Sequence, residues 1–301
     1  MFPEDIQNRP DHRHIEIQKV GVKNIKYPII VKDKKNKTQH TIATFNMYVD
    51  LPHHFKGTHM SRFIELLNEY RQGIDIKNIP RILAKIKKKL HAESAHVEIE
   101  FPYFIEKTAP VSKSKSLLEY TCRFIGSTDS NGYNKLIVGV EVPVTTLCPC
   151  SKEISKKGAH NQRSKVSVHL CFKKFFWIED IIHLVEESVS SPVYSLLKRR
   201  DEQFVTEQAY ENPMFVEDVV RTIAEKLSAN ANFTWFSVES ENMESIHNHN
   251  AYAMVEKNGV KKSTDRYAGI SIHVERSTNS SLKIVRPGSR NHGRIVSTKM
   301  R

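Results

Sequence analysis

The chain has 301 residues, 39% of them hydrophobic, and a formal net charge of +12 at neutral pH, which allows one large packed domain or two of about 150 residues each. No apolar run approaches the roughly 20 residues that span a bilayer, and the first residues lack the basic and then apolar pattern of a signal peptide. Four cysteines are too few for a disulfide framework, so the sequence predicts a cytoplasmic protein with reduced thiols and no membrane partner.

The excess of positive charge suggests a phosphate-bearing partner, either nucleic acid or a nucleotide. Lysines crowd residues 32–37 and 85–89, and the last 20 residues are basic. Such runs are typical of loops, a solvated helix face and a tail. Because no DNA- or RNA-binding motif accompanies them, the pattern favours a nucleotide over nucleic acid.

Alternating apolar residues predict four strands in the first half of the chain. Between the second and third of them, two amphipathic segments predict helices. The first helix has Ser61 as its candidate N-cap and Phe63 on its apolar face, and the second starts at Pro80. The predicted strands cover residues 17–31, 40–50, 96–105 and 117–126.

The second half of the chain repeats this order. One helical segment runs from Ile178 to Val189 and resumes after a break at Pro192 as residues 193–199, and another begins after Asn212 and Pro213. The predicted strands cover residues 135–144, 165–173, 232–239, 251–256 and 268–275.

The order strand-strand-helix-helix-strand-strand, found in both halves, predicts an α+β fold built from an internal structural repeat. An antiparallel four-stranded sheet with two helices on one face is the simplest architecture for each unit. The turn-like segment Gly126–Gly132 marks the boundary, which gives units at 13–127 and 132–276. Residues 277–301 are polar and basic, and predict a flexible tail.

Cysteine and histidine come together directly after a strand of the second half. Cys148, Cys150 and His160 lie in a polar segment, and thiolate and neutral imidazole are the ligands of a zinc-class metal. A structural zinc knuckle is the alternative, but it needs a second close pair, and Cys122 and Cys171 fall on strands. We therefore expect a catalytic or metal-ligating role for one thiol of the pair, and spacing alone does not tell which.

Carboxylates and further histidines complete this set of groups in the second half. Glu202 follows a run of cations from Lys198, and His247 and His249 alternate just before a strand. A solvated acid at a helix C-terminus is the alternative for Glu202, and helix capping is the alternative for Glu217. Thiolate, imidazole and carboxylate together match a catalytic Zn, Mn or Fe site, which predicts a metal-assisted enzyme for an anionic substrate.

Several of these segments strongly resemble the prokaryotic type IB GTP cyclohydrolases. The resemblance covers Val142–Ser164, Lys198–Val205, Phe215–Val219, Glu239–Ala253 and, in the first half, Lys56–Phe63, and it extends over nearly the whole chain. It implies two tandem tunnelling-fold units, a homotetramer, and active sites at the subunit interfaces.

The resemblance also implies roles for single residues. Cys148 corresponds to the essential cysteine of the family, and His160, Glu202 and His247 correspond to the other metal ligands. Glu217 corresponds to the acid that anchors the guanine ring. The chain departs from the family at Arg200, where proline is common.

The remaining candidates serve proton transfer or substrate binding, with two of them expected to reach a neighbouring subunit's site. The proton-transfer candidates are His249, Glu244 and Cys148; the triphosphate candidates are Lys198, Arg199, Arg163 and Arg62; and the two that reach across the interface are His59 and Arg62.

The implied reaction starts from GTP and a divalent metal, which generates hydroxide near neutral pH. Hydroxide opens the guanine imidazole ring, formate leaves, and recyclisation gives 7,8-dihydroneopterin triphosphate, the first step of tetrahydrofolate biosynthesis. Two alternatives remain open: an archaeal-type relative that yields a 2',3'-cyclic phosphate product, and a basic nucleic-acid-binding protein with a structural zinc.

Overall fold

One continuous antiparallel sheet dominates the computed structural model, which describes residues 6–70 and 76–257. Within those ranges the strand order is β1-β2-β3-β4-β5-β6-β8-β9, and the two-residue β7 pairs with β5. The strands are β1 (Ile17–Asp33), β2 (Lys37–Leu51), β3 (Ala95–Thr108), β4 (Lys115–Thr128), β5 (Asn134–Leu147), β6 (Asn161–Phe172), β7 (Ser191–Pro192), β8 (Phe233–Asn242) and β9 (Ala251–Lys257).

The alternation of the sequence matches the two faces of this sheet. In β3, for example, Val97, Ile99 and Phe101 are buried in the hydrophobic core while the residues between them are more exposed. The helices cover the buried face. On the opposite face Arg123 pairs with Glu100 and Glu141 at N···O distances of 2.6 and 2.9 Å. The strands predicted between residues 17 and 256 are confirmed, each within a few residues of its expected bounds.

Of the two helices of the first half, α2 (Ile79–Leu90) packs on the sheet and α1 (Ser61–Glu69) packs against α2. The approach of α2 is close at Gly126, where an added Cβ would lie 2.5 Å from the side chain of Ile79. The prediction of Ser61 as N-cap is wrong. Met60, with helical backbone angles, precedes the helix, and no side chain caps it.

The second half contains four helices among the described residues: α3 (Pro149–Ile154), α4 (Ile178–Glu186), α5 (Arg199–Glu211) and α6 (Val216–Ala229). The predicted helix at 193–199 is wrong, because Ser191 and Pro192 extend along β5 and the next helix begins only at Arg199. No helix in the described part of the chain is long and apolar enough to cross a membrane.

Buried polar contacts attach α4 to the strands of the first half. Tyr103 donates to Glu179 at 2.6 Å, and both Lys107 and Tyr120 donate to Glu186 at 2.7 Å. Burial lowers the pKa of Lys107, and the charge of Glu186 opposes that change. These pairs hold elements from both halves of the chain together.

The sheet passes without interruption through the predicted boundary between units. Strand β4 pairs with β5 along eight residues, with Phe124 opposite Val138, and contacts unite both sides in one compact unit. The element order of the first half is as expected, whereas the second half contains α3, β7 and α5 in addition to the expected elements. The division into units 13–127 and 132–276 stays a prediction. The strand predicted at 268–275 and the tail at 277–301 lie outside the described residues.

Candidate active site

The structure distinguishes the two neighbouring thiols. Cys148 follows the last residue of β5, serves as the N-cap of α3, and accepts a hydrogen bond at Sγ from the backbone N–H of Ser151 at 3.5 Å. Its side chain is half-buried, whereas Cys150, two residues further on, is exposed. Cys148 is therefore the thiol that local structure holds in place.

Ser151 connects Cys148 to His160. Its hydroxyl donates to the carbonyl of Cys148 at 3.1 Å and accepts from the backbone N–H of His160 at 3.1 Å. The N–H of Cys148 also donates to the carbonyl of His160 at 3.1 Å. The pair predicted from sequence is thus brought together by backbone contacts, and Ser151, which the sequence analysis did not single out, is part of the site.

The ring of His160 lies between β6 and the loop that follows β8. Its Nδ1 lies 3.1 Å from Oε1 of Gln162 and 3.4 Å from Oγ of Ser245. Ser245 belongs to the same loop as His247. The contact therefore places the beginning of that loop beside His160.

The loop between β8 and β9 carries the other predicted histidines. Its first residue, Met243, donates its N–H to the carbonyl of Arg163 at 3.0 Å. The rings of His247 and His249 stack with centroids 5.2 Å apart and 20° between planes, and both are exposed, whereas Glu244 is half-buried. The stacking agrees with the period of two, which directs both side chains the same way.

The cations and carboxylate of the Lys198–Glu202 segment lie at the start of α5. The alternative of a helix C-terminus is therefore wrong, because Lys198 is the N-cap and Arg199 the first helical residue. Glu202 is exposed, and its neighbour Asp201 is fully buried. The exposed carboxylate is free to meet a ligand while the buried one makes structural contacts.

Glu217 lies exposed in the first turn of α6. The capping contact is made by its neighbour, since Asp218 accepts from the N–H of Phe215 at 3.1 Å. Directly before this turn, Met214 donates its N–H to the carbonyl of Leu147 at 3.0 Å. This bond fixes the start of α6 beside the end of β5, next to Cys148.

His59 and Arg62 lie in the first half of the chain, at the start of α1. The guanidinium of Arg62 donates to the carbonyl of Lys89 at 3.1 Å, near the end of α2. Arg62 therefore has a structural contact of its own, and its reach toward a neighbouring subunit stays a prediction.

The four predicted metal ligands do not form one cluster within a single chain. Among residues 6–70 and 76–257, no group of three or more His, Cys, Asp or Glu side chains could hold a metal ion. The far end of α5 contacts α3, where Nζ of Lys152 meets the carbonyl of Tyr210 at 2.5 Å. Glu202 lies eight residues before Tyr210, or about 12 Å along the helix. The donor types suit a Zn, Mn or Fe ion, and their convergence stays a prediction.

Fold and site together define an α+β enzyme with an antiparallel sheet and a cysteine–histidine pair where two strands meet. Residues 4–253 match the family described as Type I GTP cyclohydrolase folE2, and the chain belongs to that family. The predicted resemblance to GTP cyclohydrolases is confirmed at this level. The subdivision named from the sequence, type IB, is not part of that description.

Relatives in the same family are similar along nearly their whole length. The GTP cyclohydrolase FolE2 of Syntrophus aciditrophicus is 68% identical over 253 residues, which cover 84% of this chain and 99% of the relative. The GTP cyclohydrolase FolE2 of Geotalea uraniireducens is 61% identical over 261 residues, or 87% and 96% of the two chains. Among solved structures, uricase from Arthrobacter globiformis aligns with a TM-score of 0.47 at 7% identity, covering 84% of this chain and 98% of that one.

Proposed function

We propose that this chain hydrolyses the guanine imidazole ring of GTP, releases formate, and closes the product to 7,8-dihydroneopterin triphosphate, the first step of tetrahydrofolate biosynthesis. The observation that carries the proposal is the family match over residues 4–253. Relatives that are 61% to 68% identical, each named a GTP cyclohydrolase, support it. Free thiols at all four cysteines suit a reaction in the reducing cytoplasm.

The proposed metal ligands are Cys148, His160, Glu202 and His247. A divalent cation held by them, Zn, Mn or Fe, would activate water for attack near neutral pH. The support is chemical, because a thiolate, two imidazoles and a carboxylate cover the range of ligands that these ions accept. The hydrogen bonds of Ser151 support the first two members of the set by holding their backbones together.

We place the complete site at the interface between subunits of a homotetramer. A single chain leaves Glu202 about 12 Å along α5 from the contact with α3, so a second chain is the simplest source of the missing ligand. Within residues 6–70 and 76–257 the sheet ends at β1 and β9, and an edge strand can pair with another copy through its backbone groups. We further propose that the chain consists of two tandem tunnelling-fold units, as the strand-strand-helix-helix-strand-strand order of β1, β2, α1, α2, β3 and β4 supports for the first unit.

Other residues of the chain have proposed roles toward GTP. Glu217 is exposed and is not used for capping, so its two oxygens can accept paired N–H groups from guanine. The triphosphate is bound by cations, of which Lys198, Arg199 and Arg163 are exposed in the described structure, with His59 and Arg62 contributed by a neighbouring subunit. Proton transfer falls to His249, Glu244 and Cys148.

The test is an assay of the purified, full-length protein with GTP and each of Zn²⁺, Mn²⁺ and Fe²⁺. We expect formate, and a pterin that becomes fluorescent on oxidation, with at least one metal. Analysis of the product's phosphates separates a linear triphosphate from the 2',3'-cyclic phosphate of the archaeal-type alternative. Absence of formate with all three ions, together with salt-dependent nucleic-acid binding, would favour the nucleic-acid-binding alternative.

A further inference from the structure

A buried polar patch lies under the His160 end of the sheet. On β5 the buried valines end at Val144, and the next buried position on the same face is the polar Thr146. On β6 the two buried positions before Val166 are the polar residues Gln162 and Ser164. These three polar side chains are 0%, 7% and 0% exposed, respectively. Burial of polar groups is costly unless they are hydrogen-bonded, so the patch requires a specific arrangement of donors and acceptors.

The nitrogen and the oxygen of the Gln162 amide have different hydrogen-bond partners. Its Nε2 donates to Oγ1 of Thr146 at 3.0 Å, and that hydroxyl lies 2.8 Å from Oγ of Ser164. The carbonyl oxygen Oε1 therefore faces Nδ1 of His160, at 3.1 Å. A carbonyl oxygen only accepts hydrogen bonds, so this orientation of the Gln162 amide requires the neutral His160 ring to carry its proton on Nδ1 and its lone pair on Nε2.

We infer that Gln162 is a positioning residue for His160: it selects the tautomer and the ring orientation in which Nε2 can bind a cation. The inference rests on the proposed function, since it takes His160 as a metal ligand. Histidines that bind metals donate their other ring N–H to a carbonyl or carboxylate, and loss of that partner typically lowers metal affinity about 10- to 100-fold. Ser245, at 3.4 Å from the same nitrogen, makes a longer contact than Gln162.

The surroundings of Gln162 explain why an amide occupies this position. Thr146 and Ser164 have no exposed surface, and Thr146 is connected to His160 by its hydrogen bond with Gln162. A methionine side chain of similar length would fill the same space and offer Nδ1–H only a weakly accepting sulfur. A glutamate would keep the acceptor, because its second oxygen can accept from the hydroxyl of Thr146.

The experiment measures the Zn²⁺ affinity of the metal-free, full-length protein by competition with a chromogenic chelator, without GTP. We expect Gln162→Met to weaken Zn²⁺ binding about 10- to 100-fold. Gln162→Glu should bind Zn²⁺ at least as tightly as the wild type. Thr146→Val, which leaves the amide unoriented, should fall between Gln162→Met and the wild type. The thermal unfolding midpoint of each metal-free variant is recorded in parallel, so that a loss of affinity can be separated from a loss of folding.

Two results would overturn the inference. The first is that Gln162→Met binds Zn²⁺ as tightly as the wild type. The second is that Gln162→Glu binds Zn²⁺ as weakly as Gln162→Met although its thermal unfolding midpoint is unchanged. If Gln162→Met does not fold, Thr146→Val and Gln162→Glu are compared with the wild type instead. The inference then requires weaker Zn²⁺ binding in Thr146→Val and binding at least as tight as the wild type in Gln162→Glu. His160→Ala distinguishes failure of the inference about Gln162 from failure of the proposed ligand set. If His160→Ala loses Zn²⁺ while Gln162→Met keeps it, only the inference about Gln162 fails. If His160→Ala binds Zn²⁺ like the wild type, the proposed ligand set fails as well.

Discussion

Hydrogen bonds of Ser151 explain why Cys148, and not the nearby Cys150, is held in a fixed position beside His160. The serine contacts the Sγ and carbonyl of Cys148 and the N–H of His160, whereas Cys150 is an exposed residue of α3. Spacing could not separate the thiols, because both lie in the same polar segment. The difference arises from a helix of six residues that buries none of its side chains, so no hydrophobic pattern predicts it.

This arrangement predicts opposite outcomes for the two cysteines. Cys148→Ala should abolish formate release from GTP, because the proposed site loses a ligand and a proton-transfer group, while the thermal unfolding midpoint stays close to that of the wild type. Cys150→Ala is the matched control and should retain activity. Loss of activity in Cys150→Ala with normal activity in Cys148→Ala would show that the other thiol is essential.

At the scale of elements, α5 shows where hydrophobic periodicity fails. Only Asp201 and Ala209 are buried on this helix, so it has no apolar stripe of the kind that identified α1, α2 and α6. The helix is instead held by a carboxylate. Asp201 accepts from the N–H groups of Val111 and Ser112, in the turn between β3 and β4, and from the N–H of Lys198, each at 2.8 Å. A buried acid in a charged segment is not distinguishable by sequence from a solvated one.

The Asp201 contacts predict a pH-dependent contribution to stability. Burial alone would raise the pKa of Asp201, but the hydrogen bonds from Ser112, Lys198 and Val111 hold it below its ordinary value. A lowered pKa means that the contribution is present at neutral pH and is lost as the pH falls below the ordinary value of about 4. Asp201→Asn should therefore unfold at a lower temperature than the wild type at pH 7, and the difference should shrink in acid.

Glu211→Gln provides the control for this experiment, since it makes the same charge change on the same helix at an exposed position. Its unfolding midpoint should follow that of the wild type at every pH. Asp201→Asn should also reduce formate release, because Asp201 fixes the turn of α5 that carries Glu202. An unfolding difference between wild type and Asp201→Asn that persists unchanged below pH 3 would contradict the assignment.

At the scale of the whole molecule, the sheet was predictable because its core face is apolar along nearly every strand. Period-two alternation reports which side chains a strand buries, and it located the strands between residues 17 and 256 within a few residues. It does not report which strands become neighbours, so the pairing of β4 with β5 was not expected from the pattern. Nor does it report contacts between chains, and the proposed site depends on such contacts to bring Glu202 to Cys148.

The dependence on a second chain can be tested by mixing two inactive variants. Cys148→Ala and Glu202→Ala, carried on chains with different affinity tags and co-expressed, form mixed oligomers that are purified through both tags. If the cysteine and the carboxylate of one site come from different chains, some mixed sites contain both intact residues, and random assembly should restore about a quarter of wild-type formate release. Each variant expressed alone should stay inactive. Mixed oligomers that remain inactive, although both variants fold and assemble, would place Cys148 and Glu202 of one site on the same chain, and α5 would then have to move toward α3 for the site to close.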